Sequence, residues 1–251
     1  MIEARGLSYA VSQRQILHDL DFIIEQNDFV LVFGANGAGK STLLRVLAGM
    51  LRKTAGEVQL AGRNLATYAR KELATRLSYL PQADEFALPL LVRDILLAGR
   101  YPYRSLFQQL TRRDLEVFAD GVAQFGLEEL LTRNIQTLSG GERKKVLLAG
   151  AFIQDVPLIL LDEPLSFLDP GSARRLVRML EALHREGRTI VVVSHEIERF
   201  FPLATKMLAL QGGALRYFGA RTFSAQLFQD VYGVPFQRIT AAGREIIYVD
   251  D

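Results

Sequence analysis

The stretch DFVLVFGANGAGKSTLLRVLAGM, residues 28–50, constrains the fold more tightly than any other part of the chain. Its first half contains FVLVF, an unbroken apolar run of the kind a strand needs when both faces of a parallel sheet are covered. Its second half places Leu43, Leu44 and Leu47 on one face of a helix expected from Lys40 to Met50. Between the two, Gly34 to Thr42 read GANGAGKST, a glycine-rich loop in strand–loop–helix context. The glycines permit a backbone whose N–H groups face inward and wrap a phosphate, a concavity that side chains would block. Lys40 supplies a point charge for the β- and γ-phosphates of a nucleotide, and the Ser41 hydroxyl suits Mg²⁺.

PLILLD and TIVVVS repeat the buried-strand character, and each lies beside a helical pattern. The fold class is therefore α/β, with a mostly parallel core sheet and ligands expected beyond the C-terminal ends of its strands. MIEARGLSY and LHDLDFIIE are short β-rich segments and read as an N-terminal antiparallel β subdomain. Residues 83–137 carry helical patterns, LVRDILLAGR and RRDLEVFADGVAQFGLEELL, and read as a helical subdomain inserted into the core. The expected layout is one domain over 1–251. Residues 1–82 and 138–219 form its core, and 220–251 a C-terminal extension too short to stand alone.

LILLDEP ends a buried strand with Asp162 and Glu163, adjacent carboxylates that would repel and resist desolvation without a cation or substrate. Asp162 is expected to orient the shell of Mg²⁺, and Glu163 is better placed for an attacking water. LSGGERKK, residues 138–145, sets a serine and two glycines before an apolar helix, although glycine disfavours helix. Ser139 can serve as N-cap. The bare start also leaves N–H groups uncovered at the positive end of the helix dipole, where an anion binds well.

Thirty basic against 28 acidic residues give a net charge of only +2, so no nucleic-acid partner is expected. The absence of cysteine rules out disulfides, thiolate metal sites and a cysteine nucleophile, and fits a reducing compartment. The N-terminus lacks a secretory pattern, and the apolar runs fall far short of the ~20 residues of a membrane-spanning helix. Membrane association is expected only through a partner.

With these motifs in order, the chain resembles the ATPase subunits of ABC transporters over nearly its whole length. GANGAGKST resembles Walker A, LSGGE the signature motif and LILLDEP Walker B, on a P-loop NTPase fold. Gln82 in LPQ resembles the Q-loop glutamine, Asp169 closing LSFLD the D-loop aspartate, and His195 in VVSHE the switch histidine. The resemblance implies nucleotide binding by Gly34, Asn36, Gly37, Gly39, Lys40, Ser41 and Thr42, with Tyr9 stacking on adenine. It implies catalysis by Glu163, His195, Gln82 and Lys40, with Mg²⁺ held by Ser41, Gln82 and, through water, Asp162. It further implies a homodimer in which Ser139, Gly140, Gly141 and Asp169 of one copy meet the ATP held by the other. Glu142 departs from the family's usual glutamine, Asn27-Asp28 from its Gly-Glu, and Phe167 is bulky for a D-loop; none removes a catalytic group.

LLVRDILLAGRYPYRSLF and the tail LFQDVYGVPFQRI with GREIIYV resemble the subgroup that powers type II importers of iron-siderophores, haem or cobalamin. That resemblance implies transmembrane permease subunits as partners, with Arg93, Arg100 and Arg104 on the docking surface and a substrate-binding protein reached indirectly. The location implied is the cytoplasmic side of the cell membrane. An exporter ATPase of the same fold and a soluble scaffold of the iron-sulfur assembly type are the alternatives. A signalling GTPase would need an Asn-Lys-x-Asp stretch, which the sequence lacks.

Overall fold

The structure, a computed structural model, describes residues 1–82, 89–105, 109–241 and 244–249. Residues 83–88 and 106–108 of the expected helical insertion, and 242, 243, 250 and 251 of the expected extension, lie outside the described residues. The chain opens with β1 (Ile2–Val11), β2 (Arg14–Ile24) and β3 (Phe29–Phe33), followed by α1 (Lys40–Leu47). Next come β4 (Ala55–Leu60), β5 (Arg63–Asn64), α2 (Arg70–Leu73) and β6 (Leu77–Leu80). Three helices follow, α3 (Val92–Ala98), α4 (Arg112–Phe125) and α5 (Gly140–Ile153). The core resumes with β7 (Leu158–Asp162), α6 (Pro170–Arg185), β8 (Thr189–Val193), α7 (Ile197–Phe200), β9 (Lys206–Gln211) and β10 (Ala214–Ala220). It closes with α8 (Ala225–Tyr232) and the hairpin β11 (Phe236–Ala241) and β12 (Arg244–Val249).

Ten strands form one sheet in the order β5-β4-β1-β2-β10-β9-β3-β8-β7-β6. β9, β3, β8, β7 and β6 are parallel neighbours, and β1, β2, β4 and β5 pair antiparallel. A single register pair, Ala214 opposite His18, joins the two parts across β10 and β2. The apolar runs are continuous because both faces are covered. Val30, Val32, Leu158, Leu160, Val191 and Val193 face one apolar cluster with α1, while Phe29, Leu31, Phe33, Ile159, Leu161, Ile190 and Val192 face another with α6 and α8. A third cluster binds α3, α4 and α5 through Val92, Leu96, Val117, Val122, Val146 and Ile153.

α1 ends at Leu47 rather than Met50. The Met50 amide turns back to donate to the Arg45 carbonyl at 2.9 Å, closing the last turn. The expected surface role of Arg100 also needs correcting. Arg100 is 5% exposed, its Nε donates to Asp114 Oδ1 at 2.8 Å, its Nη1 donates to the Ile153 carbonyl, and its guanidinium stacks on Tyr103. Asp114, fourteen residues on, is itself buried and closes a capping box with Thr111 at the start of α4. Burial alone would push the Asp114 carboxyl up, but hydrogen bonds from Thr111 and Arg100 hold it below its usual range.

Truncating one member of such a pair leaves the other charge buried and unpaired. Arg100→Ala should cost about 3–5 kcal/mol of stability in urea unfolding. A loss below about 1 kcal/mol would mean that the pair does not hold the segment after α3 to the start of α4.

Candidate nucleotide site

The glycine-rich loop runs from the end of β3 to the start of α1 at the C-terminal edge of the parallel strands. It forms one wall of a cleft of about 370 Å³ lined by Asn36 to Thr42, Gln82, Glu163 and His195. Gly39 caps α1 at φ +95, and a Cβ there would lie 2.8 Å from the Leu17 side chain. The position needs glycine for both reasons. No acidic residue occupies the first turn of α1, so its uncovered N–H groups point positive dipole into the cleft.

Lys40 is buried, and its Nζ donates to the carbonyls of Gly34 at 2.7 Å and Ala35 at 3.0 Å. Burial pulls its pKa below the usual range against the opposing fields of Glu163 and Asp162. Ser41 Oγ donates to Asp162 Oδ1 at 3.1 Å. Asp162 is fully buried, which pushes its carboxyl up, and its Oδ2 has no hydrogen-bond partner among the described residues. A hydroxyl beside a buried carboxylate with an unused oxygen fits a small hard cation that keeps part of its water. Among the described residues no group of three or more His, Asp or Glu gathers, so phosphate oxygens would have to complete its coordination.

Glu163 follows β7 at φ +48, an unusual conformation for a side-chain-bearing residue. Its N–H donates to the Val193 carbonyl, which fixes the turn against β8. The carboxylate accepts from the His195 N–H at Oε2, 3.3 Å, while Oε1 lies 3.4 Å from His195 Nε2. Burial pushes the Glu163 carboxyl up to about 6. His195 moves the other way: burial first, and then Lys40, pull its pKa below the usual range, so the imidazole is neutral at neutral pH.

Lys40, Ser41, Gln82, Asp162, Glu163 and His195 therefore meet at one place. Five expected residues do not. Tyr9 is half-buried in the first apolar cluster, and the cleft wall on that side is made by Arg14 and Ile16 of β2. Ser139, Gly140 and Gly141 begin α5, and Asp169 caps α6 through the Ser172 N–H, all outside the cleft of their own chain. Ser139 forms a capping box with Glu142, which accepts from both its N–H and its hydroxyl at 2.8 Å. Hydrogen bonds from Ser172 hold the Asp169 carboxyl down to about 2. Sequence reading missed Arg14 and Ile16. The signal was the hairpin register that sets Arg14 opposite Val11 and Leu17 opposite Tyr9.

Glu163 titrates near 6 in the folded chain against 4.5 unperturbed, so its contribution to stability is full below about 4.5 and is lost as pH rises through about 6. Without ligand, Glu163→Gln should melt higher than wild type at about pH 8, and the difference should vanish by about pH 4.5. An equal melting temperature at both pH values would remove the desolvated charge from the account.

The ABC transporter family profile matches residues 17–166. The petrobactin import ATP-binding protein FpuC of Bacillus anthracis is 32% identical, covering 93% of this chain and 87% of the relative. The phosphonates import ATP-binding protein PhnC 2 of Pseudomonas savastanoi is 34% identical, covering 92% and 89%. An inward-facing ABC transporter of the metal-chelate type superposes with a TM-score of 0.82 at 25% identity, covering 99% of this chain and 96% of that one. With its phosphate loop, buried carboxylates and doubly covered sheet, the chain belongs to the ABC transporter family as an ATP-binding subunit that hydrolyses ATP.

Proposed function

We propose that the chain powers a transmembrane permease that imports a metal chelate such as an iron-siderophore. The carrying observation is the division of the site. One copy gathers Lys40, Ser41, Glu163 and His195 in a cleft, with Asp162 buried behind Ser41, and leaves Ser139, Gly140, Gly141 and Asp169 outside it. Two copies arranged head to tail would close each cleft with the other's α5.

In this reading the loop amides and Lys40 hold the β- and γ-phosphates of ATP, with Asn36 and Thr42 completing the cradle. Glu163 accepts the proton of a water attacking the γ-phosphorus, while the bond to the β-phosphate oxygen breaks and ADP leaves. His195 holds the Glu163 carboxylate and offers its imidazole to the γ-phosphate oxygens. Mg²⁺ bound at Ser41, with Gln82 and a water-linked Asp162 beside it, would neutralise charge on the phosphates. Ser139, Gly140 and Gly141 of the partner copy cover the γ-phosphate from the far side, and Tyr9 is the residue proposed for adenine.

The permease is proposed to dock where Leu90, Leu91, Arg93, Tyr101, Tyr103 and Arg104 reach the surface, with Arg100 as the buried strut behind Tyr103. Charge and exposed aromatic rings together suit a helical segment of a partner. Among the described residues no helix is long and apolar enough to cross a membrane, so the membrane location at the cytoplasmic face would come through the permease. A substrate-binding protein would act on the opposite side. The part of the similar FpuC in petrobactin import supports the choice of chelate.

Glu163→Gln is expected to bind ATP, trap the dimer on size-exclusion chromatography and hydrolyse about 10²- to 10⁴-fold more slowly. Wild-type hydrolysis should rise with pH through about 6 as the base ionises. Ser139→Arg should abolish hydrolysis while leaving single-nucleotide binding intact, with about 1 kcal/mol lost from the helix cap. Hydrolysis at the wild-type rate by either variant would remove that residue from the mechanism. Gentle solubilisation of native membranes should recover a polytopic permease with the chain; recovery with soluble partners alone would replace transport by the scaffold reading.

A further inference from the structure

Gly34 is where β3 leaves the sheet. Its φ is +153, and a Cβ would lie 2.2 Å from the Leu210 carbonyl oxygen, so the backbone itself touches β9. The ladders to β8 and β9 end at Val32 and Phe33, so they leave the Gly34 N–H unpaired. That N–H donates instead to the hydroxyl of Tyr232, 198 residues later, at 3.2 Å. The carbonyl of the same residue accepts from Lys40 Nζ at 2.7 Å. One glycine thus links a side chain of the C-terminal extension to the ammonium group of the phosphate loop.

The Tyr232 ring is held in place by its neighbours. Phe33, the residue before Gly34, stacks on Phe228 at 5.0 Å and on Tyr232 at 6.3 Å, with interplanar angles of 16° and 22°. Phe236 closes on both α8 rings at 5.2 Å, and Gln211 of β9 donates from its side chain to the Asp230 carbonyl of α8. A stacked ring has two torsions to fix, and both are fixed here by buried aromatic surface. Burial pushes the phenol up to about 12, so the hydroxyl stays protonated and neutral beside the loop at any working pH.

We propose that Tyr232 is a positioning residue for the phosphate loop: its hydroxyl fixes Gly34, Gly34 fixes Lys40, and the C-terminal extension thereby sets nucleotide affinity. The proposal rests on reading the cleft as the nucleotide site. A purely structural Tyr232 would anchor α8 by its ring, and its hydroxyl would be dispensable for binding.

The experiment compares full-length wild type, Tyr232→Phe and Phe228→Leu for ATP dissociation constant, KM, kcat and melting temperature, and follows exchange of the Gly34 amide by NMR. Tyr232→Phe keeps the stack and removes one hydroxyl. It should raise the ATP Kd and KM about fivefold to tenfold with kcat within about twofold, since the interaction is equal in ground and transition states. The Gly34 amide should exchange faster, and the melting temperature should fall by no more than about 4 °C. Phe228→Leu removes one of three rings packed on Tyr232, leaves Phe33 and Phe236 to hold it and keeps the hydroxyl; it should melt at least as early while its Kd stays within about twofold of wild type. Wild-type affinity in Tyr232→Phe, or losses of affinity that follow melting temperature in both variants, would overturn the proposal. A wild-type chain that binds no ATP would overturn the reading of the cleft and this inference with it.

Discussion

Charge taken out of water at the C-terminal edge of the parallel strands is the constraint on which the rest of the structure turns. Lys40, Asp162 and Glu163 share one buried corner, and burial drives each toward its neutral form, the lysine downward and both acids upward. Their opposite charges offset part of that cost through space, yet Lys40 spends its hydrogen bonds on the carbonyls of Gly34 and Ala35. Asp162 Oδ2 and Glu163 Oε1 keep no hydrogen-bond partner among the described residues. Such a corner is stable only on a rigid frame, and the doubly covered sheet supplies it. β7 and β8 are buried along their whole length, and the Glu163 N–H is tied to the Val193 carbonyl of β8. Function sets the strain, and packing holds it.

What could be read from the sequence followed from local periodicity. β3, β7 and β8 were legible because a strand covered on both faces is apolar at nearly every position. The glycine loop was legible because its chemistry is contiguous. Arg14 and Ile16 were not, because their place in the cleft wall depends on the pairing of β1 with β2, which no single strand encodes. Arg100 was misread for a related reason. Beside Arg93 and Arg104 it looks like part of a solvated basic face, and only Asp114 on the next helix turns it inward. Tyr232 lies farther still from the loop it meets, so periodicity could place it on a helix and could not name its partner. Local pattern reveals burial; identity of the neighbour is a property of the topology.

The segment from α8 to β12 also shows how a stretch that packs on the core sheet can be specific. Phe228, Val231 and Ile247 enter the same apolar cluster as Phe29, Leu31 and Phe33, so the tail borrows the core face of β3 instead of building a core of its own. The parallel strands must end where ligand binds, and their last residues are the least supported by ladder bonds. An aromatic helix packed beneath β3 supplies the missing hydrogen bond at that point.

The bare start of α5 has no explanation within one chain. A Cβ added at Gly140 would meet nothing within 4 Å, and at Gly141 only the Phe167 carbonyl at 3.3 Å, so no crowding excludes alanine at the first position. The capping box already supplies the Ser139 and Glu142 bonds that a helix start needs. Glycine there lowers helix stability by roughly 1 kcal/mol relative to alanine. A cost with no compensation inside the molecule points outside it. The same end of the molecule exposes Phe167 over 81% of its surface at φ +66. Small residues at this helix start and an exposed ring on a strained turn suit the second copy proposed above, whose own cleft would be the other side of that contact.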